Sequence, residues 1–217
     1  MSIKGVIFDL DGTLLDSMWY WDRFGEEFLA ERGKVPRPDF RDKYYVYSTE
    51  ATAEMIIEDY GLSETPEEII QGMMDTAARF YRARVQPKPH ALELMERLKR
   101  AGVNMAIATA TEHILVDIAV ERFGLDKYVE KIINCTDVGA SKTEPDIYLK
   151  ALEYVGTPIP ETAVFEDALI AAQTAKKLGF YTVGVYDGTA APNEKAMREL
   201  CDEYVYDFSQ LSGKFDL

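Results

Sequence analysis

The chain of 217 residues is poor in the residues that build thiolate frameworks: it has two cysteines, Cys135 and Cys201, and two histidines. With no C-x-x-C and no clustered histidines, neither a disulfide scaffold nor a zinc site is indicated, and buried free thiols are expected. Positive charge is scarce as well. Against 38 Asp and Glu stand 24 Lys and Arg, a net charge of −14, which repels a phosphate backbone and excludes nucleic acid and anionic membrane surfaces as partners. No apolar run approaches the roughly 20 residues that cross a bilayer, and the opening MSIKGVIFDLDG places acids where a signal peptide needs its apolar stretch. A cytoplasmic protein is expected. What is present is ordinary globular composition, 47% apolar and 29% charged, enough for a sizeable core. At a prior of roughly 100 to 200 residues per domain, this length allows one domain with a modest insert.

Ile3 to Phe8 is a short apolar run of the kind that forms a strand buried on both faces. Similar runs recur at Val103 to Ala108, Lys131 to Asn134, Thr162 to Phe165, Tyr181 to Tyr186 and Tyr204 to Tyr206. Between them lie helical patterns that stop at Gly102, Gly124, Gly156 and Gly179, the residue that most easily ends a helix in a left-handed turn. This alternation predicts an α/β fold, a doubly wound, Rossmann-like parallel sheet covered on both faces. From Asp16 to Gln86 there is only helical pattern: Trp21, Phe24, Phe28 and Leu29 at helical spacing, Ala53 to Tyr60, then Ile69 to Arg84 after a Thr65-Pro66-Glu67-Glu68 capping box. The expected organisation is therefore a core of residues 1–15 and 87–217 with a small all-helical cap, 16–86, inserted after the first strand.

In open parallel sheets the ligand site lies outside the carboxyl ends of the strands, and here those ends are polar. The first delivers Asp9 and Asp11, the second Thr109, the fourth Glu166 and Asp167, while Lys142 precedes a helix expected near Glu144. Taken singly, each has a plain structural reading as a turn, a cap or a solvated lysine. Jointly, four acids converging on one sheet edge are costly without a cation.

These residues resemble the haloacid dehalogenase superfamily, in its phosphatase and beta-phosphoglucomutase-like branch with a small helical cap. Asp9-Leu10-Asp11-Gly12-Thr13 is similar to its first motif, Thr109 to its second, Lys142 with Glu144-Pro145-Asp146-Ile147-Tyr148 to its third, and Phe165-Glu166-Asp167 to its fourth. The resemblance implies a magnesium-dependent phosphatase that hydrolyses a small soluble phosphate monoester through an aspartyl phosphate, as a monomer or weak dimer. Asp9 would be the nucleophile and Asp11 the acid, then the base for water. Thr109, the Ala110 backbone and Lys142 would hold the phosphate, with Thr109 read as capping a helix over Thr109-Ala110-Thr111-Glu112. Asp9, Asp167, Glu166 and the main-chain carbonyl of Asp11 would hold Mg2+. Ser141 and Thr143 stand where Gly and Pro usually flank the lysine, and Ala168 follows Asp167 where Ser or Asp is common. Asp11 disfavours a dehalogenase or a phosphonate hydrolase. A hexose-phosphate mutase and a catalytically idle binding protein of the same fold are the alternatives; Trp21 stands about where the mutase cap carries a histidine. Trp21, Arg41 and Tyr45 are the expected specificity residues of the cap, whose aromatic side chains could equally pack its own core.

Overall fold

The computed structural model describes residues 3–44 and 47–215, the side chains of residues 41 and 42 excepted. It divides into two compact units, residues 1–18 with 85–217, and residues 19–84.

In the first unit, β1 (Gly5–Phe8) is followed after a tight turn by β2 (Leu15–Asp16), and α1 (Met18–Ala30) begins at its boundary with the second unit. The second unit carries the rest of α1, then α2 (Phe40–Tyr44), α3 (Thr49–Tyr60) and α4 (Pro66–Ala83). The chain re-enters the first unit through β3 (Gln86–Pro87) and continues as α5 (Ala91–Arg100), β4 (Asn104–Thr109), α6 (His113–Phe123), β5 (Lys131–Asn134), α7 (Cys135–Val138) and α8 (Asp146–Val155). It ends through β6 (Thr162–Glu166), α9 (Leu169–Leu178), β7 (Tyr181–Val185), α10 (Glu194–Leu200) and β8 (Glu203–Val205).

The six-stranded sheet has the order β5-β4-β1-β6-β7-β8, and every pairing in it is parallel. Val6, Ile7 and Phe8 are fully buried, as the apolar run predicts for a central strand covered on both faces. One face packs on α8: Ile7, Ala106, Ala108, Ile133 and Val164 meet Ile147, Tyr148, Ala151 and Val155. The alanines let the helix approach closely, and each buried aliphatic side chain contributes about 2 kcal/mol. Phe165 packs against Phe8, Phe208 and Phe215, with ring centroids 4.8, 5.9 and 5.5 Å apart. Gly124 and Gly156 close α6 and α8 at φ of 63° and 70°, the stops the sequence marks.

Three expectations need correcting. Asp16 and Gln86, expected to be helical or irregular, pair antiparallel, with Leu15 opposite Pro87, in a two-residue ribbon; a strand this short has no periodicity to read. The helix after Lys142 starts at Asp146, behind Pro145, since proline disfavours helical geometry in the residue before it. Cys135 and Cys201 are free, as expected, but half-buried.

The helical unit has an aromatic interior. Tyr20 stacks on Phe80 at 3.7 Å and its hydroxyl donates to the Thr76 carbonyl at 3.2 Å, while Phe24, Phe28, Ile56 and Ile69 are buried. The capping box at Thr65 forms in full, Thr65 Oγ1 accepting from Glu68 N and Glu68 Oε2 from Thr65 N.

Candidate active site

The sheet's geometry determines where polar residues gather. The chain leaves β1 for β4 and β5 on one side, then crosses to β6, β7 and β8 on the other, so the strand order reverses at β1 and opens a crevice outside the carboxyl ends of β1, β4 and β6. In register, Phe8 lies beside Ile107 and Phe165, which sets Asp9, Thr109 and Glu166 at one edge.

Lys142 reaches into this edge from the loop between α7 and α8. Its Nζ donates to Asp9 Oδ1 and, at 2.6 Å, to Glu166 Oε1. Burial alone would lower the lysine's pKa, but the Asp9 and Glu166 carboxylates outweigh it and raise it, holding the ammonium charged. Ser141 and Thr143 hold each other across the lysine at 2.6 Å between hydroxyl oxygens, and Thr174 Oγ1 donates to the Thr143 carbonyl at 3.3 Å. Side-chain hydrogen bonds thus brace this loop where the family usually uses Gly and Pro.

Carboxylate oxygens of Asp9, Glu166 and Asp167, all buried, lie within 4.8 Å of one another. Burial first, then Asp9 and Glu166, raises Asp167 well above the usual carboxylate range; burial likewise raises Glu166, against the opposing pull of Lys142. One ammonium does not offset three buried acids. The deficit, and a set of hard oxygen donors, fit a small divalent cation of the magnesium class. The hydroxyl of Tyr148, itself fully buried, donates to Glu166 Oε1 at 2.8 Å, and Thr13 Oγ1 donates to Asp167 Oδ1 at 3.3 Å. Gly12 sits at φ +87°, and a Cβ there would lie 2.3 Å from Asp167 Oδ2; only glycine lets this turn pass so close to the acid.

Asp11 stands slightly apart. Its carboxylate accepts from Ser17 Oγ at 2.5 Å and from Thr111 Oγ1. Neither hydroxyl was assigned to it from the sequence, because the contacts join residues 6 and 100 positions away.

Thr109 is not a helix cap. It is the last residue of β4, paired with Asn134, so residues 110–112 make the connection and Glu112 precedes α6 without a side-chain cap bond. Its hydroxyl accepts from Thr111 N at 3.0 Å and donates to Thr111 Oγ1 at 2.7 Å. Ala110, exposed beside it, has no side chain with which to bind an anion.

In the helical unit the expected specificity residues fare differently. Trp21 is half-buried, its ring centroid 5.7 Å from that of Phe24 and 6.3 Å from that of Tyr81. Arg41 lies on α2, its side chain outside the described residues, as is Tyr45 altogether. Of the neighbouring cations, Lys43 pairs with Asp59, which also accepts from the Tyr44 hydroxyl at 2.6 Å and lies 3.8 Å from Arg37. No helix among the described residues is long and apolar enough to cross a membrane.

Known proteins resemble this chain over most of its length. The phosphorylated carbohydrates phosphatase of Thermotoga maritima is 23% identical over 82% of this chain and 82% of its own, and hexitol phosphatase A of Escherichia coli is 26% identical over 85% and 84%. The structure of CbbY from Rhodobacter sphaeroides in complex with phosphate is similar at a TM-score of 0.79 over 99% of this chain and 100% of that one, at 22% identity, a likeness of fold. A family model spans residues 6–185, from the first strand through all three polar strand ends and Lys142, and by that match the chain belongs to the haloacid dehalogenase-like hydrolases.

Proposed function

We propose that the chain is a magnesium-dependent phosphatase of a small phosphate monoester, with Asp9 as nucleophile. The observation that carries this reading is Lys142, bonded at once to Asp9 and Glu166 beside Asp167. A phosphoryl group resists attack because it is anionic, so catalysis needs an aligned nucleophile and compensated oxygens.

Asp9 attacks phosphorus as the ester P–O bond breaks, and Asp11 gives its proton to the leaving oxygen. Asp11 then takes a proton from water, which attacks the aspartyl phosphate, releases phosphate and restores the Asp9 carboxylate. Lys142 lies close enough to share its protons with a phosphoryl oxygen at Asp9, and the Ala110 N–H would hold another; Thr109, expected to bind phosphate as well, would do so only by turning its hydroxyl away from Thr111 Oγ1. Asp9, Glu166, Asp167 and the Asp11 carbonyl would hold Mg2+, which when bound offsets charge on nucleophile and phosphoryl oxygens alike. Residues 16–86 would serve as the cap that selects the ester, through Trp21, Arg41 and Tyr45. The phosphatases among the relatives support a soluble sugar or polyol phosphate as the class to try first.

The test is a panel of phosphate monoesters with magnesium, using wild type and Asp9→Asn. Wild type should release phosphate from several small esters, and Asp9→Asn should retain under about a thousandth of that rate with its circular dichroism unchanged. A variant keeping a large fraction of the rate would refute the covalent route. Conversion of a hexose 1-phosphate to its 6-phosphate, without matching phosphate release, would replace phosphatase by mutase.

A further inference from the structure

Asp11 is held at both carboxylate oxygens by hydroxyls. Oδ1 accepts from Ser17 Oγ, which is fully buried, and Oδ2 from Thr111 Oγ1. Thr111 is in turn fixed from three directions. Its N–H donates to Thr109 Oγ1, its hydroxyl accepts from Thr109 Oγ1 at 2.7 Å, and its carbonyl accepts from the side-chain amide of Asn134. Asn134 is buried at the end of the edge strand β5, and its Oδ1 accepts from Thr136 N at 2.7 Å. A line of hydrogen bonds thus runs from the sheet edge through Thr111 to Asp11.

We infer that Thr111 is a positioning residue for Asp11, setting the direction from which that carboxyl meets the leaving oxygen; the inference rests on Asp11 being the acid and base proposed above. Asp11 immediately precedes Gly12, which sits at positive φ in the turn, and is half-buried, so its own backbone does not fix its side chain. Thr111 supplies the fixed point, because its χ1 is stiff and its backbone is pinned on both sides. The choice of a hydroxyl is chemically apt. It donates and accepts, so it stays bonded to a carboxyl whether or not the carboxyl carries a proton. General acid–base catalysis depends on placing the proton within hydrogen-bond reach of the reacting oxygen, and an acid free to swing forfeits part of that factor.

A positioning role predicts a dependence on the leaving group that a packing role does not. With magnesium present, kcat/KM is measured for wild type, Thr111→Val and Thr111→Ser on a series running from nitrophenyl to alkyl phosphates, since kcat/KM reports only the step in which the ester bond breaks. Thr111→Val should lose about tenfold or more on alkyl esters, whose leaving oxygen needs the proton, and under about threefold on nitrophenyl phosphate, which leaves without it. Thr111→Ser should stay within about threefold of wild type throughout. Equal loss on both ester types, no loss on either, or a serine variant as poor as valine would overturn the inference. If Thr111→Val fails to fold, Thr111→Ala takes its place with the same expected split. A wild type that turns over none of the esters would instead refute the phosphatase reading, and this inference with it.

Discussion

The sheet unit and the helical unit use polar side chains in opposite ways. At the sheet edge, Asp9, Glu166 and Asp167 are crowded until burial, and then the neighbouring carboxylates, raise Glu166 and Asp167, with one lysine set against all three. In the helical unit, charges are matched in place: Arg32 lies 3.9 Å over the Phe28 ring and pairs with Glu64 at 2.9 Å, Arg84 pairs with Glu27 at 3.0 Å, and Lys43 pairs with Asp59. An uncompensated cluster is a cost borne for chemistry, while a self-satisfied surface is what stability alone produces. The contrast supports the proposal that the reaction belongs to the sheet unit.

The strongest way to break the contrast is to remove its single cation. Lys142→Met should cost about 3 kcal/mol of transition-state stabilisation, on the order of a hundredfold in kcat/KM, measured on any ester that wild type accepts. A loss of a few-fold would mean that Lys142 serves the fold alone. A milder probe is Tyr148→Phe, which takes one hydrogen bond from Glu166 and leaves the ring packed. The magnesium concentration for half-maximal activity should rise about tenfold, as for loss of an outer partner of a metal ligand, with maximal rate little changed; an unmoved magnesium curve would count against Glu166 as a ligand. The smallest effect is expected in the helical unit. Trp21→Ala should leave turnover of a small aryl phosphate almost unchanged and reorder the preferred larger esters. An unchanged order across the panel would remove Trp21 from substrate choice.

The same contrast explains what the sequence discloses. Asp9, Glu166 and Asp167 follow directly from apolar runs, so strand register carries them to one edge, and Lys142 sits in a loop whose helix has a clear periodicity. Ser17 and Thr111 are not legible as partners of Asp11: Thr111 lies 100 positions away, and Ser17, although only six away, carries nothing in its residue type that says which group its hydroxyl bonds. Thr109 reads as a cap because Thr-x-x-Glu suits a capping box wherever the strand happens to end, and only the β4–β5 pairing shows that the strand runs through it. The aromatic run of the helical unit was ambiguous for another reason: stacking on a ligand and stacking on Phe80 call for the same residue types. The structure assigns Tyr20 to the latter.

The two-residue ribbon of Leu15–Asp16 and Gln86–Pro87 has a meaning for how such a protein can change over generations. It returns the chain to the place it left, and Lys88 N donates to the Leu14 carbonyl at 2.8 Å just inside it. To the sheet, everything beyond the ribbon is one long loop whose ends are already joined, and the entropy of closing a loop grows only slowly with its length. The ribbon is thus a socket: what is plugged into it can be lengthened, shortened or exchanged without disturbing the polar edge of the sheet.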